Sequence, residues 1–510
     1  YNAMRRIGFI YLIFIISSFM YACSYEDKTT YADEFIPNII IDTTGIPSMH
    51  WIAREDTLII KPNVSKEGVS KDMFKYEWMM TLNPGADFKE SKIIGTEEHL
   101  RYYVEDIPDA SEYSLWYRVT DKTTGLMESI MWKVMVEASS GQGLVVAHTN
   151  DDRTTDFSVV QDTLFTSSYY DEEGKIKPTS YRYDMFSKRN GHTFKGVVKW
   201  MFSQPRYLDK RLTYMLHGAS KDNIFRINTM DYSVLLEGKE CFYDPFVTFD
   251  IDYYGMCGSY AVLSNNGRLY GLPKEYSNAT QPTKFGIDQP GYYKSNNCIS
   301  EYSCLAWFEP ETGLFQTVPG YITADSWEPY VYVNPNDGII ENFDLNNMQG
   351  YELIAGGATR LDHCFVLKKN GKIGLYNLMK SNRAPFNPRV YYDISNAPVI
   401  DEATSFAFNQ MEDVVYYVAN NIVYAIIYSG RQPKYKEVYN PGEDVAFIKI
   451  LTQTGQKLVP YESRCLLVVT NGRSGKVHAL KQKGTNTGDY ELIHIFEGFN
   501  GKITALAVQD

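Results

Sequence analysis

From about Gly141 onward the chain repeats one pattern: an apolar strand, a turn of Asn, Asp and Gly, and a second apolar strand. It occurs at Leu144–Asp152, Tyr214–Asn223, Tyr260–Gly267, Cys304–Gly313, Cys364–Gly371, Val414–Asn421 and Cys465–Gly472, making seven hairpins. Their starts lie roughly 45 to 70 residues apart, the spacing at which a repeat means a propeller blade of four strands. No such sheet can bury both of its faces alone, so radial stacking is the physical solution. The pattern predicts a β-propeller over residues 141–510 with seven blades. The interval between the first two hairpins could hold one more repeat, so six or eight blades are also compatible with the spacing.

An apolar strand such as Thr404–Phe408 precedes the later hairpins, but none precedes Leu144. Lys502–Val508 is an apolar strand with no hairpin after it. Residues Ile503–Val508 are therefore expected to supply the innermost strand of the first blade, closing the ring so that no sheet edge is left open.

Residues 34–138 read differently. The alternating runs Thr57–Pro62, Tyr76–Met80, Tyr113–Thr120 and Met131–Val136 are separated by Gly, Pro, Asn and Asp clusters at hairpin spacing, the pattern of a small immunoglobulin-like β-sandwich. Ser139–Gly143 is the expected joint. No stretch reads as a long amphipathic helix, so the whole chain is expected to be all-β.

The N-terminus reads as a processing signal rather than as fold. Arg5 and Arg6 precede an apolar run from Ile7 to Met20. At about 14 residues the run is shorter than a membrane-spanning helix and suits a signal peptide. Met20-Tyr21-Ala22-Cys23 resembles the lipobox of bacterial lipoproteins, with Tyr21 departing from the small residue usual there. Residues 1–23 are thus expected to be a signal peptide with lipidation at Cys23. Glu26 and Asp27 resemble the acidic export signal of surface lipoproteins of the Bacteroidetes, which implies an outer-membrane, outward-facing location.

The formal charge of −12 argues against nucleic acid as a partner, since phosphates would be repelled and no Lys/Arg cluster supplies a local basic face. Of the seven cysteines, Cys304, Cys364 and Cys465 each open a hairpin strand, which suits free core thiols better than a disulfide framework. Cys241, Cys257 and Cys298 are left unassigned.

The local signatures of common catalysts are missing: no Gly-x-Ser-x-Gly, His-Glu-x-x-His, Walker loop, Cys-x-x-Cys or EF-hand loop occurs. No catalytic residue and no cofactor is predicted, which favours binding over catalysis. Carboxylates gathered from several blades around a propeller channel would leave no local motif, so a hydrolase or lyase stays open. His148 and His217 hold similar places in their hairpins. Asp151-Asp152 and Asp250-x-Asp252 are the carboxylate groups that would suit calcium, although no loop has its full ligand spacing.

Segments that interrupt the repeat are rich in aromatic residues. Tyr169–Thr193 holds Tyr181, Arg182 and Tyr183; Tyr276–Tyr302 holds Tyr292 and Tyr293; Trp327 precedes the fifth hairpin. Tyr and Trp offer rigid, partly polar area that stacks on sugar rings or clasps a peptide, so these six residues are the candidate ligand contacts. Packing of each segment on its own blade is the competing reading.

Leu58–Pro62, Tyr76-x-Trp78 and Tyr113 through Val119-Thr120-Asp121-x-x-Thr124-Gly125 resemble the PKD-like domain. With the lipobox and the length, the chain resembles the PKD-like family lipoproteins of Bacteroidetes. That resemblance implies a surface protein that binds an oligosaccharide or peptide nutrient, or serves as accessory subunit to a SusC/SusD-type importer. A polysaccharide hydrolase or lyase and a structural scaffold are the alternatives.

Overall fold

The computed structural model describes residues 37–54, 56–81, 91–106, 113–137, 141–170, 174–208, 211–273, 279–286, 288, 299–300, 305–317, 330–331, 343–359, 361–379, 388–452 and 458–510. Cys23, Cys298, Cys304, Tyr292, Tyr293 and Trp327 lie outside them. The chain divides into two compact units, Tyr1–Val136 and Glu137–Asp510.

The first unit is a sandwich. A five-stranded antiparallel sheet runs in the order Met49–Ala53, Met127–Glu137, Tyr113–Asp121, Phe74–Thr81 and Lys92–Gly95. Two shorter pairs, Ile40–Asp42 with Asn63–Ser65 and Thr57–Ile60 with Leu100–Tyr103, share its core. Alternation along Tyr113–Asp121 turns Leu115, Tyr117 and Val119 inward, where they are fully buried, as the period of two requires. Trp78 is the centre of this core. Its ring stacks on Tyr117 at 4.0 Å and on Trp132 at 5.6 Å, and its indole N–H donates to the Glu97 carbonyl at 2.8 Å.

Asp121 closes the hairpin between Tyr113–Asp121 and Met127–Glu137. Gly125, at φ 73°, takes the left-handed conformation that the turn needs and donates its N–H to the Asp121 carbonyl at 2.8 Å. The Asp121 carboxylate accepts hydrogen bonds from the Lys66 ammonium at 2.5 Å, the Thr123 hydroxyl at 2.5 Å and backbone N–H at 2.8 Å, and the Thr124 hydroxyl at 2.8 Å. Both charged side chains are out of solvent. Lys66 and then Thr123 hold the carboxyl well below the usual carboxylate range. A depressed carboxyl stabilises the fold fully above its unfolded value near 4 and loses that contribution as pH falls toward the depressed one. Asp121→Asn should therefore lower the midpoint of the sandwich's thermal transition by on the order of 10 °C at neutral pH, because Lys66 keeps a buried charge without its partner. The variant should also lose stability less steeply than wild type below about pH 4. Equal acid slopes in the two melting series would show that the pair carries none of the acid sensitivity.

The second unit is a β-propeller, and its described residues form seven sheets. All but the first run from an inner strand outward along the chain, as in Trp200–Leu208, Arg211–Ala219, Ile224–Asn228 and Val234–Glu237. The third sheet has three strands, Ile251–Cys257, Tyr260–Asn265 and Arg268–Leu272. The first is built from both ends of the unit: Ser180–Arg182, Thr154–Gln161 and Gly143–Thr149 are completed by Lys502–Gln509. That strand pairs antiparallel with Gly143–Thr149 from Gly143↔Gln509 to Thr149↔Lys502.

Why these strands demand a ring is visible in Gly143–Thr149, every residue of which is buried. Leu144 and Val146 pack in one apolar layer, against Leu467 and Val469 of the seventh sheet. Val145 and Ala147 pack in another, against Leu216 and Phe225 of the second sheet. Equivalent layers separate each remaining pair of neighbouring sheets. Where the inner strands crowd toward the axis, small residues recur, among them Gly255, Gly356, Gly357, Ala407 and Ala505. Cys241, Cys364 and Cys465 are buried free thiols. The one α-helix among the described residues, Met185–Asn190, lies in the first blade's outer segment, and no described helix is long and apolar enough to cross a membrane.

Candidate functional site

Where the inner strands converge, the propeller lines an open cavity of about 720 Å³. Its wall takes Trp200 and Phe202 from the second blade, Tyr253 and Met256 from the third, Phe447 and Lys449 from the seventh, and Thr504 and Leu506 from the closing strand. Among the described residues its charged lining residues are Lys199, Lys449 and Glu462. A cavity of several hundred Å³, mostly apolar with a few polar groups, has the size and chemistry of a small-ligand site.

The wall is held in place from behind. Phe202 stacks on His217 at 4.9 Å and meets Tyr254 edge-on at 5.0 Å, while His217 Nδ1 and the Tyr254 hydroxyl share a hydrogen bond of 2.8 Å. Burial, reinforced by Arg206, pushes His217 well below its ordinary value, so the imidazole is neutral. Tyr253 lies across Gly255: a Cβ there would stand 1.9 Å from the Tyr253 hydroxyl. Only glycine leaves this ring in position on the cavity wall.

Lys449 follows from strand alternation. In Val445–Ile450, Ile448 and Ile450 are buried in the layer toward the sixth blade, and the intervening Phe447 and Lys449 keep partial exposure. The Lys449 ammonium donates to the Leu506 carbonyl of the closing strand. Loss of solvation pushes its pKa down to about 8, with no carboxylate contributing to the shift. The amine therefore gives up its proton more readily than a solvated lysine does.

Tyr181, Arg182 and Tyr183 lie elsewhere. Tyr181 and Arg182 belong to Ser180–Arg182, which pairs with Thr154–Gln161 as the first blade's outer strand. The segment read from the sequence as an interruption thus contains the fourth strand of a blade, Ser180–Arg182, followed by the helix Met185–Asn190; the hairpin repeat marks only the second and third strands. The Tyr181 and Tyr183 rings stack at 5.5 Å and lean on Phe496 and Phe499 beside the seventh blade. The Tyr183 hydroxyl donates to the Glu497 carbonyl at 3.1 Å. Phe186 in the same segment is fully buried, as is Phe285 from the second aromatic segment, which stacks on Phe242 at 5.1 Å. The structure does not bring Tyr181, Arg182 or Tyr183 to the axial cavity, whose lining residues carry no local sequence signal.

His148, His217 and His478 tie neighbouring elements together through their ring nitrogens. His148 Nε2 bonds the Ser158 hydroxyl at 2.8 Å and Nδ1 the Asn500 carbonyl at 3.2 Å, and both side chains are buried. His478 similarly bonds Thr470 and Tyr439. Asp151 caps its turn: the backbone N–H groups of Arg153 and Thr154 hold its carboxyl down to about 2. Asp152 pairs with Lys502 at 3.0 Å and Asp250 with Lys221 at 3.2 Å. Among the described residues no group of three or more His, Cys, Asp or Glu could hold a metal ion.

The PKD-like family model matches residues 23–197. No curated protein matches the chain. Among solved structures, a quinonprotein alcohol dehydrogenase-like protein from Bacteroides thetaiotaomicron is similar at 11% identity and a TM-score of 0.41, covering 93% of this chain and 99% of its own. PorZ, a surface component of the type-IX secretion system of Porphyromonas gingivalis, is 13% identical with a TM-score of 0.38, covering 70% of this chain and 39% of its own. The Cps50 (Swd1) β-propeller domain from Myceliophteria thermophila is 10% identical with a TM-score of 0.29, over 52% of this chain and 92% of that domain. The chain is thus an all-β protein in which a PKD-like sandwich precedes a β-propeller.

Proposed function

We propose that this is a surface-exposed lipoprotein, anchored at Cys23 in the outer membrane, whose propeller binds a nutrient oligomer in its axial cavity, either alone or as accessory subunit of a SusC/SusD-type importer. The observation that carries the reading is the cavity of about 720 Å³ walled by Trp200, Phe202, Tyr253 and Phe447. Aromatic faces stack on sugar rings and peptide groups, and the polar lining groups Gln410, Thr452 and Thr504 can complete hydrogen bonds. Among the described residues Glu462 is the one carboxylate on the lining; glycoside hydrolysis by the usual route needs a pair, which favours binding over cleavage.

A thermal-shift screen of the soluble form starting at Tyr25, against oligosaccharide and peptide panels with product analysis, tests this. A ligand should raise the melting temperature without turnover. Trp200→Ala should weaken that ligand by about tenfold or more through lost stacking, and Tyr170→Ala, on an exposed ring of the first blade, should not. Turnover would replace the reading with a hydrolase or lyase, and silence across both panels would direct it to a protein partner.

A further inference from the structure

Resting on that reading, we propose that the axial cavity is selective for an acidic oligosaccharide, one bearing uronic acid carboxylates, and that Lys449 is the group that holds the carboxylate. An ammonium inside a protein is ordinarily paired with a carboxylate or left to reach water. Lys449 does neither fully: it keeps only partial exposure on the cavity wall, and among the described residues its three N–H donors meet one acceptor, the Leu506 carbonyl. No carboxylate lies within ion-pair distance of it among the described residues. A lysine needed only to tie the seventh blade to the closing strand could be replaced by a neutral donor without the cost of desolvating a charge. A charge kept at that cost has a use if the missing counter-charge arrives with the ligand.

The rest of the lining indicates what carries it. Among the described residues the lining pairs two lysines with one glutamate in a chain whose formal charge is −12, so it is locally cationic against an acidic background. Trp200 and Phe447 are half-buried and present ring surface, which suits the C–H face of a pyranose better than the varied side chains of a peptide. The Leu506 carbonyl leaves two Lys449 N–H donors to meet a carboxylate oxygen in a charge-assisted bond.

Calorimetric titration of the soluble chain from Tyr25 with trigalacturonate, a neutral galactose trimer and a Glu-rich peptide decides it. Trigalacturonate should bind at least about tenfold more tightly than the neutral trimer, the usual gain from a hydrogen bond to a charged group. Lys449→Met should erase that preference by weakening trigalacturonate, and Lys449→Arg should retain most of it. Should Lys449→Met fail to fold, the wild-type preference decides alone. Equal wild-type affinities for the acidic and neutral trimers, each reduced by Trp200→Ala, would overturn the acidic specificity and leave the cavity as the binding site. Trigalacturonate binding unaffected by Lys449→Met and Trp200→Ala would overturn both. Binding of the peptide alone, with Lys449 dependence, would overturn the sugar assignment.

Discussion

Deleting Lys502–Asp510 should abolish the folded propeller while leaving the sandwich intact. The removed strand carries Ile503, Ala505, Leu506, Ala507 and Val508, all buried, and supplies both apolar layers that flank the first blade. Their burial amounts to roughly 5–10 kcal/mol at the usual value per apolar side chain, comparable with the whole stability of a typical domain. Gln509 adds two further ties, accepting from the Tyr232 hydroxyl at 2.6 Å and donating to the Gly141 carbonyl at 2.7 Å. The loss also exposes the inner edge of Gly143–Thr149, seven buried residues in a row, as a template for aggregation. Limited proteolysis followed by mass spectrometry is the direct measurement: the truncated chain should be cut throughout residues 141–501, with a resistant fragment spanning the sandwich. Resistance of the propeller equal to wild type would show that the closing strand is a passive tail.

Trp78→Ala should destabilise the sandwich by about 3–5 kcal/mol, the cost of truncating a fully buried large aromatic side chain and leaving its volume empty. Trp78 contacts Tyr117 and Trp132 from two other strands, so the cavity opens at the centre of the core. In a module of about a hundred residues this is a large share of the available stability, and its melting transition should fall by roughly 15 °C or more. The propeller transition, resting on separate apolar layers, should stay where it is. Two resolved transitions in differential scanning calorimetry, of which only one moves, would also establish that the units unfold independently.

How much of this was legible in the sequence depended on burial. The second strand of each blade is apolar on both sides, as in Gly143–Thr149 and Val414–Ala419, where every residue is buried. Such runs stand out as uninterrupted hydrophobic stretches, and counting them finds the repeat. Outer strands do not announce themselves: Lys434–Tyr439 has no buried residue and Tyr490–Phe496 has one. For the same reason Tyr181 and Arg182 read as an interruption instead of as the first blade's outer strand. Phe496 and Phe499, on which Tyr181 and Tyr183 lean, lie some 300 residues away in sequence, and no local pattern joins them. The axial cavity was less legible still. Lys449 is written Ile-Lys-Ile, an unremarkable alternating strand; its meaning comes from the Leu506 carbonyl and the aromatic rings of other blades, which only the ring closure brings near.

The pairing of Lys502–Gln509 with Gly143–Thr149 also sets a schedule. Chains are made from the N-terminus, and domains tend to fold as units once enough of them is available. The sandwich has all its strands within the first 137 residues and can complete its core while the rest is still being made. The propeller cannot: the bond from Gln509 to Gly141 closes a span of 368 residues. Until the closing strand appears, Gly143–Thr149 waits with one edge unpaired and one apolar layer half built, whatever the state of the blades between. A loop of that length costs little more entropy than one half as long, but it fixes an order. The first blade to be synthesised is the last to be finished.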